Sequence, residues 1–439
     1  MRRACLLRTA AIVILASLPA VSVWGVDQPN RADNNWPQWR GARLDSYSSE
    51  TGLPAEFGKD KNLLWRVEMP GPAGSSPVVW DDRIFVTSAN GEKLELLALD
   101  TSGKQLWSAL LDGENRQLRM DSANYAAPSP VTDGKHVWAT SSAGVLHCFD
   151  VAGKPVWKVD LQERYGKFDI QFGMANTPVL DNGRLYHQLL HGNMQDDSPG
   201  VGLVLSLDAE TGKEIWRHDR PSKATYENKH SYASPIIYRD ADREYLIIHG
   251  GDVATAHSLT DGKEIWRVAG LNPAASYNNY LRFVSSPGVA EGLIVVPSAK
   301  GGPVLCLRAD KQGELTEDAS AYHWKIERGT PDVASPVIHE GLVYLCIENG
   351  LVTCLDAKTG QQYYKERLLS DQHRSTPVIA DGKLYITGRK GTVLVLATGK
   401  EPKVLAQNDL GEVTTASPAI SNGKIYIRTF EALYCFGSK

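Results

Sequence analysis

The chain contains 439 residues, of which 42% are hydrophobic and 22% are charged. Disordered and fibrous chains have fewer apolar residues or a strict short repeat, so this composition excludes both classes and predicts a globular protein. The formal net charge of -4, from 47 basic and 51 acidic residues, gives no general attraction to nucleic acid or to anionic membranes.

Residues 1–25 have the pattern of a secretory signal peptide. The basic, apolar and small residues of this pattern are, in order, Arg2, Arg3 and Arg8, Ala10 to Leu18, and Ala20, Ser22 and Gly25. The apolar run is too short for a transmembrane helix of the mature chain. We therefore expect an exported, periplasmic or extracytoplasmic protein without a lipid anchor or a membrane span. An uncleaved N-terminal anchor is the alternative, and the choice between Sec and twin-arginine export stays open.

Eight similar units follow, each marked by a serine or threonine directly before a proline. The prolines are Pro77, Pro130, Pro178, Pro235, Pro287, Pro336, Pro377 and Pro418. Their mean spacing of about 49 residues suits a four-stranded propeller blade with its loops. Polar-glycine turns and apolar runs of strand length fill the units, and no long amphipathic helix is predicted.

An aromatic residue recurs near the end of the units. In Leu207 to Trp216, an aspartate and a threonine stabilise a turn, a glycine takes the left-handed conformation, and the tryptophan follows four residues later. The strand then holds the ring on one face, where it can wedge between neighbouring sheets. The residues predicted to pack between blades are Trp65, Trp107, Trp157, Trp216, Trp266, Trp324 and Tyr364.

The two ends of the chain are predicted to meet in one blade. The strand around Trp65 precedes the first Ser-Pro pair, whereas the eighth unit ends at Phe436 without a tryptophan strand. If the first strand completes the last sheet, the ring closes and two open sheet edges disappear. The sequence therefore predicts an all-β, eight-bladed propeller over residues 61–439, closed by its N-terminal strand. Residues 26–60 are expected to form an extension that packs on the propeller.

Cysteine usage predicts free thiols. Cys346 and Cys354 flank Asn349-Gly350, a pair that is typical of a two-residue hairpin turn. In that register the two sulfurs would lie on opposite faces of the hairpin. We therefore expect buried thiols rather than a disulfide between them.

The repeat resembles a known family. The Ser/Thr-Pro pairs and the Leu-Asp-Ala-x-Thr-Gly-Lys-x-x-Trp pattern of Leu207 to Trp216 are similar to the pyrroloquinoline-quinone (PQQ)-type propeller repeat. The leader Trp36-Pro37-Gln38-Trp39-Arg40-Gly41 resembles a subfamily of exported bacterial propellers that is itself similar to the outer-membrane assembly lipoprotein BamB. The resemblance implies a propeller of the quinoprotein alcohol dehydrogenase type. It implies little about activity, because the matching residues form turns and packing contacts.

The same resemblance raises the question of a cofactor. Quinoprotein dehydrogenases of this superfamily hold PQQ and Ca²⁺ on the propeller axis through carboxylate and amide ligands, often beside an adjacent Cys-Cys pair. This chain has no Cys-Cys pair, and no Glu, Asn and Asp set matches those ligands. Motifs therefore do not support PQQ and Ca²⁺, and no cofactor is expected.

The loops that precede the Ser/Thr-Pro pairs are the candidate binding site, because they converge at one mouth of a propeller. Their polar, cationic and aromatic residues are Asn124, Tyr125, Asn176, Lys229, His230, Tyr232, Arg282, Asp332, His373 and Arg374. The cations would donate to a small anionic or sugar-like ligand or to a peptide, and the tyrosines would stack on it. Ordinary solvated loops are the alternative, and no catalytic residue is predicted.

A second candidate is the segment His187 to Asp197, in which two histidines four residues apart precede two aspartates. These residue types ligate metals. Strand alternation gives His187 and His191 no guaranteed convergence, however, and Asp196-Asp197-Ser198-Pro199-Gly200 is typical of a solvated turn. No metal is expected.

These observations favour an exported, non-catalytic propeller that acts as a binding scaffold in the cell envelope, as in outer-membrane protein assembly. Its partner would be an envelope protein or peptide, or a small anionic or sugar ligand, and not nucleic acid. Two alternatives remain: a PQQ- and Ca²⁺-dependent alcohol or sugar dehydrogenase, and a carbohydrate-binding or carbohydrate-processing propeller.

Overall fold

The computed structural model describes residues 34–113 and 125–438, so the predicted signal peptide and Asn124 lie outside the described residues. Within these ranges the strands form eight sheets of four or five strands each. The predicted all-β, eight-bladed propeller is confirmed. In blades 1 to 7 the four repeat strands follow chain order, from a short inner strand at the axis to an outer edge strand.

The blades contain the following strands. Blade 1 has Val78–Trp80, Arg83–Asn90, Lys93–Asp100 and Gln105–Leu111, and blade 2 has Val131–Thr132, His136–Thr140, Val145–Asp150 and Pro155–Asp160. Blade 3 has Val179–Asp181, Arg184–His191, Val201–Asp208 and Glu214–Asp219, and blade 4 has Ile236–Arg239, Glu244–Gly250, Val253–His257 and Glu264–Val268. Blade 5 has Gly288–Ala290, Leu293–Pro297, Val304–Arg308 and Tyr322–Ile326, and blade 6 has Val337–His339, Leu342–Cys346, Leu351–Asp356 and Gln362–Arg367. Blade 7 has Val378–Ala380, Lys383–Thr387, Thr392–Ala397 and Val404–Asp409, and blade 8 has Ala419–Ser421, Lys424–Arg428 and Ala432–Gly437 with Leu63–Glu68.

Two short strands and four short helices lie outside the four-stranded repeat of the blades in the described chain. Tyr47–Ser48 pairs in parallel with the inner strand of blade 7, and Gly313–Glu314 pairs in parallel with the outer strand of blade 4. The α-helix Leu161–Tyr165 and the 3-10 helices Tyr226–Lys229, Ala274–Ser276 and Ala319–Ala321 lie in loops. In the part of the chain that the structure describes, no helix is long and apolar enough to cross a membrane.

The N-terminal strand closes the ring. Leu63–Glu68 pairs antiparallel with Ala432–Gly437, and Trp65 lies opposite Cys435. Blade 8 is thus assembled from both ends of the described chain, as the sequence predicts. This pairing covers a sheet edge that would otherwise be open.

The Ser/Thr-Pro repeat forms a closed belt of hydrogen bonds around the axis. The backbone N–H of each serine or threonine donates to the side-chain hydroxyl of its counterpart in the next blade, over 2.9 to 3.1 Å. The eight residues are, in order, Ser76, Ser129, Thr177, Ser234, Ser286, Ser335, Thr376 and Ser417, whose hydroxyls are buried and whose last member donates back to Ser76. The short hydroxyl side chains of serine and threonine supply the acceptor in each blade, which accounts for their recurrence.

We expect the belt to contribute measurably to stability. In the Ser286→Ala variant, the N–H of Ser234 loses its acceptor inside the protein, which should lower the free energy of unfolding by about 1–3 kcal/mol. Thr376→Ser keeps the hydroxyl and is the matched control, with an expected change below about 1 kcal/mol. Urea denaturation measures both, and equal effects in the two variants would contradict the role of the hydroxyl.

The recurrent tryptophans dock onto the next blade. In each case the indole Nε1–H donates, over 2.9 to 3.1 Å, to a backbone carbonyl in the turn of the following blade, and the pairs are Trp65–Thr101, Trp107–Val151, Trp157–Ala209, Trp216–Leu259 and Trp324–Ala357. The glycine of the same turn lies under the ring. At Gly212, for example, φ is +68°, and a Cβ atom would lie 2.7 Å from the Trp157 ring. The turn motif therefore needs glycine both for its conformation and for the tryptophan contact.

Trp266 and Tyr364 occupy the same position but bind differently. Trp266 is buried in a cluster with Ala309 and Leu315 of the following blade segment, and its backbone pairs with the extra strand at Gly313. Tyr364 is buried among residues of blades 6 and 7. Both rings lie at blade contacts without the indole-to-carbonyl hydrogen bond of the other five.

The predicted register of the Cys346–Cys354 hairpin is wrong. Cys346 lies opposite Val352 and Cys354 lies opposite Tyr344, because the connection is a three-residue loop over 348–350 rather than a two-residue turn. The two cysteines therefore share one face and one core cluster. Both are nevertheless free and buried, as are Cys148, Cys306 and Cys435.

The two mouths of the ring differ. We call the side on which the inner strands begin, at the Ser/Thr-Pro pairs, the anchor face, and the side on which they end the turn face. Residues 34–58, which we call the leader, lie against the turn face. The backbone hydrogen bonds between the leader and the inner strands join Trp36 with Val79, Thr132 with Pro37 and Ile379 with Ser46.

The tip of the leader closes the axis. Arg40 is 1% exposed, and its Nη1 and Nη2 donate to the carbonyl oxygens of Pro287 and Pro336 over 2.8 and 2.9 Å. The indole of Trp39 donates to the belt hydroxyl of Ser417 over 3.4 Å. The leader therefore reaches from the turn face to the level of the belt and fills the centre of the ring with a guanidinium and an indole.

Candidate functional site

The described candidate residues lie in loops of the anchor face, where the chain passes from one blade to the next. The structure brings only some of them together, and it buries several others. Asn124 lies outside the described residues. The contacts of the remaining nine decide which of them can face a ligand.

Lys229 and His230 fasten an inserted loop. The Lys229 Nζ is buried and donates to the carbonyls of Asn193 and Asp196 over 2.7 and 3.1 Å, and to the Asp196 carboxylate over 2.9 Å. The His230 Nε2 lies 2.8 Å from the carbonyl oxygen of Gly192, and burial lowers the pKa of His230. Three acceptors use the three donors of the ammonium. The expectation that these two side chains point at a funnel ligand is therefore corrected: they hold residues 192–200 in place.

Arg282 joins three blade connections. Its guanidinium lies 3.7 Å from the Glu227 carboxylate and 3.9 Å from the Asp332 carboxylate, and 5.6 Å from the centre of the Phe172 ring. Tyr232 packs against Phe172 with ring centres 5.8 Å apart, and its hydroxyl accepts from the Phe172 N–H. Burial raises the pKa of Tyr232. Two carboxylates balance the charge of Arg282, so this cluster does not select for a small anion.

Glu348 is a polar group of this face that sequence reasoning missed. Its Oε1 accepts from the backbone N–H groups of Asp332 and Val333 over 2.7 and 2.9 Å. Burial and the nearby Asp332 charge raise the pKa of Glu348. His373 is fully buried behind it, and burial lowers the pKa of His373 to about 4. The sequence did contain a signal for this residue. Blade 6 has a glutamate in the hairpin loop between its second and third strands, whereas the same loop of blade 2 contains only small residues.

The other candidate residues are separate from this cluster. Asn176 is fully buried, and its amide donates to the carbonyl of Gln188 over 2.7 Å. Tyr125 is half-buried and lines a cavity of about 340 Å³ with Phe168. Arg374 is half-buried on the connection between blades 6 and 7. The nine predicted residues that the structure describes therefore do not form one funnel.

A cavity of about 590 Å³ opens on the same face between blades 6, 7 and 8. Its lining residues are Glu348, Asn349, Arg367, Ser370, Asp371, Gln372, Arg389, Lys390 and Val413. The Asp371 carboxylate accepts from the backbone N–H groups of Gln372 and Lys390 over 2.7 and 2.6 Å. This carboxylate stabilises the loops, and the charges around the cavity are mixed.

The donor set does not fit a quinone held with Ca²⁺. A calcium ion needs six to eight oxygen ligands that converge on one point. The carboxylates of Glu227 and Asp332 instead face Arg282, and the axis holds the Arg40 guanidinium, whose pKa burial lowers to about 10. Among the residues of the described ranges, no group of three or more His, Cys, Asp and Glu side chains is placed to hold a metal ion.

The second candidate segment has structural contacts. His187 is buried, with Nδ1 3.0 Å from the carbonyl oxygen of Gln188, and His191 accepts from the Asp169 N–H over 3.3 Å. Burial lowers the pKa of both histidines to about 4. Asp196 serves Lys229, as described above, so the two histidines and the aspartate do not share a ligand position.

The thiols are poor nucleophiles. Burial raises the pKa of Cys148, Cys306, Cys354 and Cys435 to about 12 and also raises that of Cys346. A thiol with such a pKa stays protonated near neutral pH, whereas nucleophilic attack needs the thiolate. The cysteines therefore serve packing, opposite the aromatic residues of the outer strands in four blades.

Comparison with known proteins gives two groups of relatives. BamB of Yersinia pestis is 24% identical over 249 residues, which cover 56% of this chain and 57% of the relative. A polyvinylalcohol dehydrogenase of a Pseudomonas species is 22% identical over 56% of this chain and 42% of the relative. A quinoprotein ethanol dehydrogenase of Pseudomonas aeruginosa is 30% identical, over only 32% of this chain and 22% of the relative. The chain spans about half the length or less of these relatives.

Solved structures show the same fold. BamB of Moraxella catarrhalis has a TM-score of 0.62 at 12% identity, over 85% of this chain and 99% of that one. The quinohemoprotein alcohol dehydrogenase of Comamonas testosteroni has a TM-score of 0.67 at 14% identity, over 92% of this chain and 81% of that one. At these identities the likeness concerns architecture alone.

A family model assigns the chain. The model described as outer membrane protein assembly factor BamB matches residues 31–127, 119–330 and 323–429, which together are most of the sequence. The resemblance to the PQQ-type repeat is thereby confirmed. This protein belongs to the PQQ-like β-propeller family whose model is described as outer membrane protein assembly factor BamB.

Proposed function

We propose that this protein is an exported, non-catalytic propeller that acts as a binding scaffold in the cell envelope, in a role similar to outer-membrane protein assembly. The observation that carries the proposal is the closed axis. The centre of the ring, where related dehydrogenases place a quinone and Ca²⁺, is filled from the turn face by Trp39 and Arg40. Membership of the BamB family supports a protein partner.

The anchor face carries a surface suited to such a partner. Tyr280 is 64% exposed on the connection between blades 4 and 5. Asn228 holds this connection, because its amide donates to the carbonyl of Asn278 over 2.7 Å and accepts from the Leu281 N–H over 2.7 Å. An exposed aromatic ring on a fixed loop loses little conformational entropy on binding and is a common centre of protein interfaces. We place the partner contact around Tyr280.

Affinity purification from envelope extracts of the native organism tests this proposal. We expect tagged wild-type protein to recover components of the outer-membrane assembly machinery. The Tyr280→Ala variant should recover about thirty-fold less, which corresponds to about 2 kcal/mol of binding free energy. Val404→Ala is the matched control, because Val404 is 48% exposed but lies on the outer strand of blade 7.

Two results would contradict the proposal. Recovery that is equal for wild type and Tyr280→Ala would place the contact elsewhere, and recovery of no envelope protein would refute the scaffold.

In a separate assay, purified protein incubated with PQQ and Ca²⁺ should show no dye-linked oxidation of alcohols or sugars. Turnover that depends on both additions would favour the dehydrogenase instead.

A further inference from the structure

The leader leaves three blades uncovered on the turn face. In each blade, the second residue after the anchor proline directs its backbone toward the axis, as Val79 does when it exchanges two 2.8 Å hydrogen bonds with Trp36. Residues in the same position of blades 2, 3 and 7 also donate to the leader. In blade 8 the leader bonds instead to the next residue, Ser421, whose hydroxyl donates to the carbonyl of Asn34 over 2.6 Å. The corresponding residues of blades 4, 5 and 6 are Ile237, Val289 and Ile338, and the leader makes no such hydrogen bond to them in the described chain.

These three residues line a cavity of about 560 Å³ between the leader and blades 3 to 6. Binding sites for small molecules and cofactors typically enclose about 300 to 1,000 Å³, so this cavity is large enough to hold a ligand. The three backbones offer N–H donors and carbonyl acceptors at intervals of one blade. Backbone polar groups in such a position are costly unless they are paired with protein, ligand or water.

The leader bends away from blades 4 to 6 through residues with strained backbone conformations. Arg40, Leu44 and Ser46 have φ values of +72°, +60° and +62°, although none of them is glycine. Leu44 anchors the turn, because its side chain is buried in the core shared by blades 3 to 5. Strain of this kind persists only where the surrounding structure imposes it, and it often marks binding sites. The fold thus maintains the opening.

Charge does not define the ligand of this cavity. Arg239 pairs with Asp181 over 3.0 Å at one rim, and the Glu291 carboxylate accepts from backbone N–H groups of the blade 6 turn. At the other rim, Tyr47 stacks on His339 with ring centres 4.5 Å apart. Since the rim charges are already paired, the convergent backbone groups are the main recognition feature.

We propose that this cavity binds a short extended peptide segment of a partner protein, which would bridge to Ile237, Val289 and Ile338 as the leader bridges to Val79. The leader itself is the precedent, because it is an extended segment held on the neighbouring inner strands by backbone hydrogen bonds. This second site lies on the face opposite Tyr280 and rests on the proposed function only in that the protein acts by binding.

A phage-displayed library of random hexapeptides tests the site with full-length protein. The blocking variant is Ala42→Trp, because Ala42 is exposed in the leader and lines the cavity. Ala152→Trp is the matched control, because Ala152 is exposed on an outer turn of the same face and does not line the cavity. We expect wild type and Ala152→Trp to enrich peptides that Ala42→Trp binds at least ten-fold more weakly.

Two further measurements define the binding mode. A selected synthetic peptide should slow amide hydrogen exchange in the segments that contain Ile237, Val289 and Ile338, and methylation of alternate backbone nitrogens of the peptide should weaken its binding at least ten-fold. The proposal is overturned if no peptide is enriched, if Ala42→Trp binds equally, or if protection appears elsewhere. If wild-type protein enriches no peptide but still recovers envelope proteins, this site is refuted and the proposed function stands.

Discussion

Replacement of Arg40 by alanine is expected to lower the free energy of unfolding by about 3–5 kcal/mol. The guanidinium is buried, and it donates to two carbonyls from two different blades and to the hydroxyl of Ser46. Its removal leaves Pro287 and Pro336 with unpaired acceptors, at about 1–3 kcal/mol each, and opens a cavity on the axis. Urea denaturation followed by tryptophan fluorescence measures the change.

Two variants separate this effect from a general loss of charge. Arg40→Lys keeps the charge, but a single ammonium lacks the planar fork that spans both carbonyls, so we expect about half of the loss. Arg43 lies three residues away and its side chain is 48% exposed, so Arg43→Ala should cost less than about 1 kcal/mol. A midpoint for Arg40→Ala that equals the wild-type midpoint, at an unchanged denaturant slope, would refute the axial role of this residue.

The protein is expected to unfold between about pH 5 and pH 4. Burial lowers the pKa of several fully enclosed histidines to between about 3 and about 4: His187, His191, His249, His257 and His373. In the unfolded chain a histidine takes up its proton near pH 6.5. Below that pH the unfolded state therefore binds more protons than the folded state, and stability falls as the pH falls.

The size of this effect is comparable to the stability of a typical domain. Each histidine contributes a loss of about 2 kcal/mol between pH 7 and pH 4.5, so the five together contribute about 10 kcal/mol. Asp252 acts in the opposite direction, because burial raises its pKa to about 6 and its folded form gains a proton first. Burial also raises the pKa values of Glu50 and Glu348, so these carboxylates act in the same direction as Asp252. The three carboxylates offset only part of the loss.

Urea titrations at a series of pH values test this expectation. His187→Gln removes one titrating group and should flatten the decrease between pH 7 and pH 4.5 by about 2 kcal/mol. Its side-chain amide can still donate to the carbonyl that His187 faces. A free energy of unfolding that stays constant from pH 7 to pH 4.5 would show that these histidines do not resist protonation.

The repeated parts of the fold were predictable from the sequence. The spacing of the Ser/Thr-Pro pairs predicted the number of blades, and the repeated turn before each tryptophan predicted the glycine conformation and the packing of the ring. The hydrogen bonds among the Ser and Thr hydroxyls were not among the predictions. The closure of the last blade by the strand around Trp65 also followed, because a missing strand at one end matched a surplus strand at the other. Periodicity supplied long-range information that single residues do not contain.

The contacts of the site were not predictable in this way. Lys229 is buried because the inserted loop of blade 3, residues 192–200, covers it. The residues that flank Lys229 in the sequence do not indicate this contact. The acceptors of Arg40 are backbone carbonyls, which leave no signature in the sequence. At Cys346 an extra loop residue shifted the register by one, which moved a whole strand to the other face.

The hydroxyl belt and the pairing of Leu63–Glu68 close the ring at two different radii. The belt passes through blade 8 at Ser417 and Ser76 without using the N-terminal strand, which lies at the outer rim. Fraying of that strand would therefore open the outer edge of blade 8, whereas the hydrogen bonds of the belt would stay intact. A molecule with two concentric seams can release one end of its chain without opening its centre.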